Sequence, residues 1–537
     1  MRKAILFYAL LCGFTALGDA QTVDVPTAPS AYRRPEGYDP AGHRYRYSLT
    51  ELKETYSEAM MQEAEKVYNK ALDVNSQGKW KPTLVSLDRH QAPEWFQDVK
   101  FGMFIDWGLW SVGGWGFKAG DGAMYPDWYE HRLDYETVVE KYHDKNWGTD
   151  FERDDLIPFF RAENYQPDQL IDVAIQAGMK YIIPFCKHHS GFCLWPSSYT
   201  HRDAGDMLGK DFIQPLVDKC RQEGLKFGFY FSTDEWEYPV IDNGGQLITR
   251  KWAGKYEPYT PKLETWATGK IAVRDFAKEY IIPQAIEFVD RYDPDILWYD
   301  GEWDTPIELL GSLDISAYFY NQAEGRKEVA INDRYGQANG KRLRSRLGDI
   351  FTSEYGDMTD DNRRRHVWEE NRGISQSFGF NWQDTDENVI TSKNFIDMFV
   401  DIVSKGGNLL LIVNLDNQGA LPQVQEKRLK DIGQWLKING EGIYGTRAYR
   451  VASEQNIRYT RSKDNKNVYA ISLQWPGKQL ALTSVTPAKG SSVYLLGYDK
   501  PLKWTHKNGT TFISLPEKLQ TSDRRPCQYA YTFRIQP

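Results

Sequence analysis

Cysteine is scarce in this sequence, with only five residues in 537. Cys12 lies in an apolar segment at the amino terminus, which leaves Cys186, Cys193, Cys220 and Cys527. Four cysteines are too few for a disulfide scaffold in a chain of this length, and no Cys-x-x-Cys or Cys/His zinc spacing accompanies them. We therefore expect small core residues here, and we predict no metal site.

An excess of positive charge is also absent. The chain has 66 Lys and Arg residues against 74 Asp and Glu residues, a net charge of −8. This balance lacks the basic footprint that nucleic acids and anionic membranes require, so we predict no nucleic-acid partner and a neutral substrate. Aromatic residues make up 14% of the chain, with 18 Trp. Their flat faces and hydrogen-bonding edges suit sugar rings, although most tryptophans pack in protein cores.

Long apolar runs are missing as well. Residues 1–20 combine the basic start Met1-Arg-Lys3, an apolar stretch and the small residues before Ala20. This pattern predicts a secretory signal peptide, which is too short to span a bilayer, and no later stretch approaches about 20 apolar residues. We expect an exported protein, periplasmic or secreted, without membrane insertion.

The patterning predicts four segments. After the signal peptide, residues 21–87 are predicted to form an amino-terminal arm and a helix, because apolar residues recur at helical spacing over 48–73. Residues 88–438 alternate short apolar strands with helical stretches, which is typical of a parallel α/β sheet. Residues 439–537 contain short alternating strands between Gly, Pro and Asn turns, which predicts a C-terminal β-sandwich.

The α/β segment is long enough for a (β/α)8-like, TIM-type barrel, which takes about 250 residues or more. Nearly every predicted strand ends in polar or aromatic residues, as the ligand-facing rim of a barrel requires. We predict strands at 101–105, 180–185, 227–231, 296–299, 329–331 and 409–413.

His188 and His189 end one of these strands. They are either a structural pair, held by backbone carbonyls, or substrate-binding groups. Metal binding by both is disfavoured, because neighbours in a strand point to opposite faces. We favour binding of a sugar or similar substrate.

Carboxylates also lie at or after the ends of predicted strands. Asp300 lies at the tip of a buried strand and is our candidate nucleophile, although an Asp here can also cap the next turn. Glycosidic cleavage needs a second carboxylate, and Glu354 and Glu369 are the candidates. Arg334 follows another strand, where it can bind an acid or a hydroxyl group.

Taken together, these residues resemble the α-L-fucosidases of glycoside hydrolase family 29, over roughly residues 85–537. Five motifs occur in the family order with similar spacing: Phe101-Gly-Met-Phe-Ile-Asp-Trp-Gly-Leu, Lys187-His-His-Ser-Gly-Phe, Trp298-Tyr-Asp-Gly-Glu-Trp, Asn332-Asp-Arg-Tyr-Gly and Ser404-Lys-Gly-Gly-Asn-Leu-Leu-Leu.

The resemblance implies an exo-acting glycosidase with a catalytic (β/α)8-like barrel, a C-terminal β-sandwich and a retaining double displacement. It implies Asp300 as the nucleophile and Glu354 as the acid/base, with Glu369 in reserve. Two carboxylates suffice for this chemistry, so no cofactor is expected; the expected partner is an oligo- or polysaccharide, and no oligomeric state is indicated. The sugar-binding residues implied by matching motifs are Trp128, His188, His189, Tyr230, Trp298, Arg334 and Phe378.

Three positions depart from the family pattern: Asp106 replaces a His, Asp127 replaces a Glu and Ser190 replaces an Asp. We still predict that Asp106 and Asp127 bind the substrate. An ionised Asp only accepts hydrogen bonds, and it can take two donors at once. Asp106 therefore raises the hypothesis of a 6-hydroxylated sugar, L-galactose in place of L-fucose. A non-catalytic glycan-binding protein is the alternative from another class, but it would not need two candidate catalytic carboxylates.

Overall fold

Parallel strands organise most of the chain. The structure, a computed structural model, describes residues 24–40, 54–116, 124–259, 268–344, 346–356, 358–359, 363 and 365–537. The predicted signal peptide, residues 1–20, and the start of the predicted helix over 48–73 lie outside these ranges. Helix α1 occupies the rest of that prediction and continues beyond it, over Glu58–Gln77.

Eight parallel strands form the central sheet. In chain order they are β1 (Phe101–Asp106), β2 (Tyr181–Lys187), β3 (Lys226–Ser232), β4 (Ile296–Asp300), β5 (Ala330–Ile331), β6 (Phe351–Glu354), β7 (Trp368–Gly373) and β8 (Asn408–Asn414). Strands β1 to β5 pair in chain order, as do β6 to β8, and β8 pairs with β1. A parallel bridge between Asn332 and Ile350 connects the two edge strands, β5 and β6. The predicted (β/α)8-like barrel is confirmed.

Helices surround the sheet and occupy most of the connections between its strands. After α1 they are α2 (Leu84–Leu87), α3 (Glu94–Val99), α4 (Trp110–Gly113), α5 (Tyr129–Arg132), α6 (Thr137–Asn146), α7 (Pro167–Ala177), α8 (Ala204–Leu208), α9 (Gln214–Gln222), α10 (Ile282–Tyr292), α11 (Ser312–Ala323), α12 (Ser392–Ser404) and α13 (Gln423–Asn439). Within the described ranges, none of these helices is both long enough and apolar enough to cross a bilayer.

Two barrel strands, β6 and β7, were not predicted from the sequence. Their sequences, Phe-Thr-Ser-Glu and Trp-Glu-Glu-Asn-Arg-Gly, lack the continuous apolar run of a strand that is buried on both faces. Most of their residues are nevertheless buried. These two strands carry both candidates for the second catalytic carboxylate, Glu354 and Glu369.

A three-stranded antiparallel sheet, here called the rim sheet, follows β3. Its strands are Glu237–Ile241, Leu247–Lys251 and Lys255–Pro258. It belongs to a long connection between β3 and β4, at the edge of the barrel where the parallel strands end.

The C-terminal region consists of two antiparallel sheets. One sheet has five strands and the other has three. Buried residues from both sheets meet in one core, with Ile457 and Tyr459 on one side and Leu480, Leu482 and Ile513 on the other. The predicted β-sandwich is therefore present. Its strands are β9 (Thr446–Glu454), β10 (Ile457–Ser462), β11 (Val468–Ser472), β12 (Gln479–Leu482), β13 (Tyr494–Leu495), β14 (Trp504–Lys507), β15 (Thr510–Ser514) and β16 (Tyr531–Ile535).

Helices α7 and α13 pack closely at Gly433. A Cβ atom at this position would lie 1.9 Å from the Gln176 carbonyl oxygen and 3.0 Å from the Ala177 Cα. We predict that Gly433→Ala lowers the free energy of unfolding by about 2 kcal/mol, because the clash with the backbone outweighs the better helix propensity of alanine. Urea denaturation measures this change. The control is Gln434→Ala at an exposed position of the same helix, and equal stability of the two variants would contradict the prediction.

Candidate active site

The carboxyl ends of the barrel strands bring the predicted site residues to one rim. Asp106 ends β1, Asp300 ends β4 and Glu354 ends β6. His188 and His189 directly follow β2. In the pairing register, Ser232 lies opposite Asp300, so the polar residues cluster because parallel strands end at the same edge.

Asp300 receives polar groups on both carboxylate oxygens. The Tyr230 hydroxyl donates to Oδ2 at 2.7 Å, and the Arg334 guanidinium donates to Oδ1 at 3.1 Å. His189 Nε2 lies 3.4 Å from Oδ2. Burial alone would raise the pKa of Asp300, but the close approach of His189 and the charge of Arg334 outweigh it and hold that pKa below its ordinary value. The carboxylate is therefore ionised at neutral pH.

Arg334 joins Asp300 to Glu354. While its Nη1 binds Asp300, its Nη2 lies 2.9 Å from Glu354 Oε2. The Tyr125 hydroxyl donates to the other Glu354 oxygen at 3.2 Å. The guanidinium also lies 4.8 Å from the centre of the Trp298 ring. The structure thus brings two of the predicted carboxylates onto one cation, and the Glu354 side chain keeps 20% of its surface exposed.

Glu369 lies deeper, inside the barrel. It is fully buried, the Tyr181 hydroxyl donates to its Oε2 at 2.6 Å, and Trp298 Nε1 donates to its Oε1 at 3.1 Å. Tyr181 is the first residue of β2, so this contact lies near the starting end of the strands, away from the rim. The geometry separates Glu369 from the cluster that contains Asp300 and Glu354.

The histidine pair is oriented by its surroundings. His189 Nδ1 lies 2.8 Å from the Asp234 carbonyl, which can only accept, so this nitrogen carries a hydrogen and Nε2 faces Asp300. His188 Nε2 lies 3.7 Å from Asp127 Oδ2. Burial lowers the pKa of His188, and neighbouring His189 lowers it further, so the His188 ring is neutral at pH 7.

Asp106 and Asp127 form a buried acidic pair. Trp110 Nε1 donates to Asp106 Oδ1 at 2.9 Å, and the Gly379 backbone N–H donates to Oδ2 at 2.7 Å. Burial raises the pKa of Asp106 to about 7, although both hydrogen bonds lower it. Burial also raises the pKa of Asp127, and the charge of Asp106 adds to that effect. Gly379 has φ +74°, and a Cβ atom there would lie 2.6 Å from the Asp127 nitrogen, so a glycine fits this close approach.

Aromatic rings line the same region. Tyr230 stacks on Phe185 with centroids 4.0 Å apart, and Trp298 lies 5.5 Å from Tyr230. Trp128 contacts the rings of both histidines, at 6.4 Å from His188 and 5.5 Å from His189. Phe378 lies on another side of the site, where it contacts Tyr125 and Tyr355. The predicted aromatic residues therefore surround the carboxylate cluster with apolar surface.

One triad has the geometry of a potential metal site. One ligand atom each from His188, His189 and Asp300 lies within 4.8 Å of the others. Arg334 already donates to Asp300, and its positive charge disfavours a cation at this position.

Several groups at the site were missed by sequence reasoning. Tyr125, Trp110 and Asp234 bind predicted residues. Tyr125 and Asp234 lie in irregular connections and Trp110 begins the one-turn helix α4, so no periodicity marks them. The Gly379 nitrogen is a backbone donor, which no side-chain pattern can reveal. Of these, only Trp110 offered a signal, since it lies four residues after Asp106 at the start of the first strand's rim loop.

Two family models match this chain. The model described as Alpha-L-fucosidase matches residues 67–441, and the model described as Alpha-L-fucosidase C-terminal domain matches residues 452–536. The first match alone covers more than half of the chain and contains the whole barrel.

Curated and solved proteins give the same likeness. Tissue alpha-L-fucosidase of Bos taurus is 30% identical, over 85% of this chain and 91% of its own. Alpha-L-fucosidase of Branchiostoma floridae is 29% identical, over 86% of this chain and 96% of its own. The crystal structure of Thermotoga maritima alpha-fucosidase in complex with fucose is 29% identical, with a TM-score of 0.68, and covers 85% of this chain and 100% of its own.

Glu369 makes stability depend on pH. Burial raises its pKa to about 7, against about 4.3 in an unfolded chain. Between these two pKa values, Glu369 is protonated in the folded state and ionised in the unfolded state. Its burial therefore costs no stability below about pH 4.3, and the free energy of unfolding falls as the pH rises from there through 7.

We predict that Glu369→Gln, which stays neutral, gains stability relative to the wild type by about 3 kcal/mol between pH 4.5 and pH 7.5. Urea denaturation across this range measures the difference. Glu308→Gln, the same change at an exposed position, is the control. Parallel pH curves for the wild type and Glu369→Gln would contradict the prediction.

Proposed function

The chain belongs to the alpha-L-fucosidase family of glycoside hydrolases, and we propose that it removes terminal α-L-fucosyl or closely related residues from glycans by a retaining double displacement. The observation that carries the proposal is the arrangement of Asp300 and Glu354 on the single guanidinium of Arg334. It supplies an ionised carboxylate and a second, partly exposed carboxyl group at the same rim.

Asp300 is the proposed nucleophile. A nucleophilic carboxylate must be ionised, and the lowered pKa of Asp300 provides that state. In the first step, its oxygen attacks the anomeric carbon and the bond from that carbon to the leaving oxygen breaks. The product is a glycosyl-enzyme ester, and the leaving oxygen takes up a proton.

Glu354 is the proposed source of that proton. Its carboxyl group protonates the leaving oxygen in the first step, and its carboxylate removes a proton from water in the second, so that the water oxygen displaces Asp300. Its 20% exposed side chain can meet both a leaving group and water. Glu369 is fully buried and both of its oxygens accept hydrogen bonds from the barrel interior, which favours Glu354.

Asp106 supports a second candidate activity, α-L-galactosidase. Each Asp106 oxygen accepts one N–H donor, from Trp110 and Gly379, and a carboxylate oxygen has room for a second donor. L-Galactose offers a hydroxyl group where L-fucose has a methyl group. A buried carboxylate with free acceptor capacity suits the extra hydroxyl group.

The proposal also covers the substrate, the cofactor requirement and the export of the protein. The substrate is an oligo- or polysaccharide, and the two carboxylates act without a cofactor. We further propose that residues 1–20 direct export to the periplasm or the medium. A purely glycan-binding role would leave the Asp300 and Glu354 pair without a use.

Removing the two carboxylates should have different consequences. We expect Asp300→Ala to lose about 10³-fold or more in kcat on every α-L-fucoside, because no nucleophile remains. Glu354→Ala should lose far more on fucosyl disaccharides than on 4-nitrophenyl α-L-fucoside, whose leaving group needs no proton. Steady-state kinetics on both substrates tests this, with Glu369→Gln as the control. A disaccharide-specific loss in Glu369→Gln but not in Glu354→Ala would reverse the assignment.

Azide gives an independent test of the same roles. Added to Asp300→Ala it should attack the anomeric carbon directly and give a fucosyl azide of inverted configuration. Added to Glu354→Ala it should attack the glycosyl-enzyme and give the retained azide. Proton NMR of the products distinguishes the two, and the opposite stereochemistry would exclude the double displacement.

Asp106 should set the preference at the sugar's sixth carbon if the second candidate is right. We then expect the wild type to prefer 4-nitrophenyl α-L-galactoside and Asp106→His to shift the ratio of kcat/KM towards the fucoside at least tenfold. Asp106→Asn, which keeps the size, is the matched variant. A fucoside preference in the wild type that Asp106→His leaves unchanged would exclude the galactosidase reading.

A further inference from the structure

We propose that Trp252 and Trp303 form a binding platform for a sugar of the leaving group, outside the pocket that holds the fucosyl ring. The inference rests on the proposed function, since it needs a glycoside whose anomeric carbon reaches Asp300. Trp252 directly follows the second strand of the rim sheet, and Trp303 follows β4 by three residues.

The two indoles lie one layer outside the residues around Asp300. Their ring centres are 5.4 Å apart and their planes meet at 39°. Trp252 lies 5.0 Å and Trp303 5.6 Å from His189, the ring that faces Asp300. Trp128 lies beside both, at 6.1 Å and 5.9 Å. A group that leaves the pocket past His189 would therefore meet these two rings next.

Exposure increases along the same direction. Trp236, behind the cluster, is buried, whereas Trp252 and Trp303 are half-buried and retain surface that faces solvent. Tyr256, opposite Arg250 in the neighbouring strand of the rim sheet, is 51% exposed. Partly exposed, adjoining aromatic rings mark binding surfaces, and an indole offers an apolar face with a polar edge, which matches a neutral sugar.

One buried carboxylate fixes both loops that carry the platform. Arg250, two residues before Trp252, binds Asp234 at 2.6 Å. The hydroxyl of Thr305, two residues after Trp303, donates to the other oxygen of Asp234. The backbone carbonyl of Asp234 in turn accepts from His189.

The chain at Trp252 is held in place as well. Its backbone N–H donates to the Trp236 carbonyl at 3.1 Å. The next residue, Ala253, has φ +64°, a conformation that alanine rarely adopts and that the surrounding contacts must enforce. A platform held in this way loses little conformational freedom when a sugar stacks on it.

The experiment compares three substrates that differ only in the leaving group. α-L-Fucosyl fluoride needs neither a leaving-group contact nor a proton. Methyl α-L-fucoside needs the proton but carries no second sugar. The third is whichever of the (1→2)-, (1→3)- and (1→4)-linked fucosyl disaccharides the wild type hydrolyses fastest. The variants are Trp252→Ala and Trp303→Ala, with Trp252→Phe and Trp303→Phe as conservative partners.

We expect each alanine variant to lose about tenfold in kcat/KM on the disaccharide and less than twofold on the fluoride and the methyl glycoside. The phenylalanine variants should recover most of the loss. Trp475→Ala, in the C-terminal sandwich, is the matched control, and thermal unfolding of every variant checks folding.

Other outcomes overturn the inference in distinguishable ways. Equal losses on all three substrates would make the tryptophans part of the fucosyl pocket. A loss of kcat/KM on both the disaccharide and the methyl glycoside would show that the tryptophans act on proton transfer. An unchanged kcat/KM on the disaccharide would show that they do not bind the leaving-group sugar. If the wild type hydrolyses none of the substrates, including the matching galactosides, the proposed function itself fails.

Discussion

The ion pairs of Arg334 with Asp300 and Glu354 are the interactions on which the rest of the site depends. Its guanidinium contacts Asp300 and Glu354 and lies 3.9 Å from buried Glu302. Burial lowers the pKa of Arg334, but the three carboxylates raise it more, so the group stays charged. The charge of Arg334 helps to hold the pKa of Asp300 below its ordinary value, so without it this buried carboxyl group would ionise less readily. A lysine offers a point charge rather than a planar fork, so it would not hold Asp300 and Glu354 apart in the same way.

Much of this arrangement was predictable from the sequence because of one geometric rule. Parallel strands end at the same edge, so polar residues after apolar runs must meet there, and this correctly grouped Asp106, His188, His189 and Asp300. The rule works only where the strand itself is apolar. It failed for β6 and β7, whose residues are largely polar. Glu354 and Glu369 were therefore predicted from the need for a second carboxylate and not as strand ends, and the family resemblance favoured Glu354. Choosing between Glu354 and Glu369 requires knowing how deep each side chain lies in the barrel, and the sequence does not give that depth.

A second buried ion pair, between Asp234 and Arg250, links the cluster around Asp300 to the rim sheet. Asp234 binds Arg250 and Thr305 through its side chain and His189 through its carbonyl. These contacts span 71 positions of the chain between Asp234 and Thr305, so no local pattern could have predicted them. The consequence is that the rim sheet, the loop after β4 and the histidine beside Asp300 share one anchor. Removing a partner would leave a buried charge unpaired and would disturb all three together.

The acidic pair next to this centre gives the site an unusual hydrogen-bonding demand. Asp106 in its ionised form only accepts hydrogen bonds, whereas a histidine at this position would both donate and accept. The protein supplies two donors to Asp106, Trp110 and the Gly379 backbone, while burial and then the charge of Asp106 raise the pKa of Asp127. Each Asp106 oxygen can accept one hydrogen bond more than these. The nearby His188 ring is kept neutral by burial. A sugar that brings more hydroxyl donors satisfies this demand better than one with a methyl group. The role proposed for Asp106 therefore concerns which sugar is held, and it is separate from the chemistry proposed for Asp300 and Glu354.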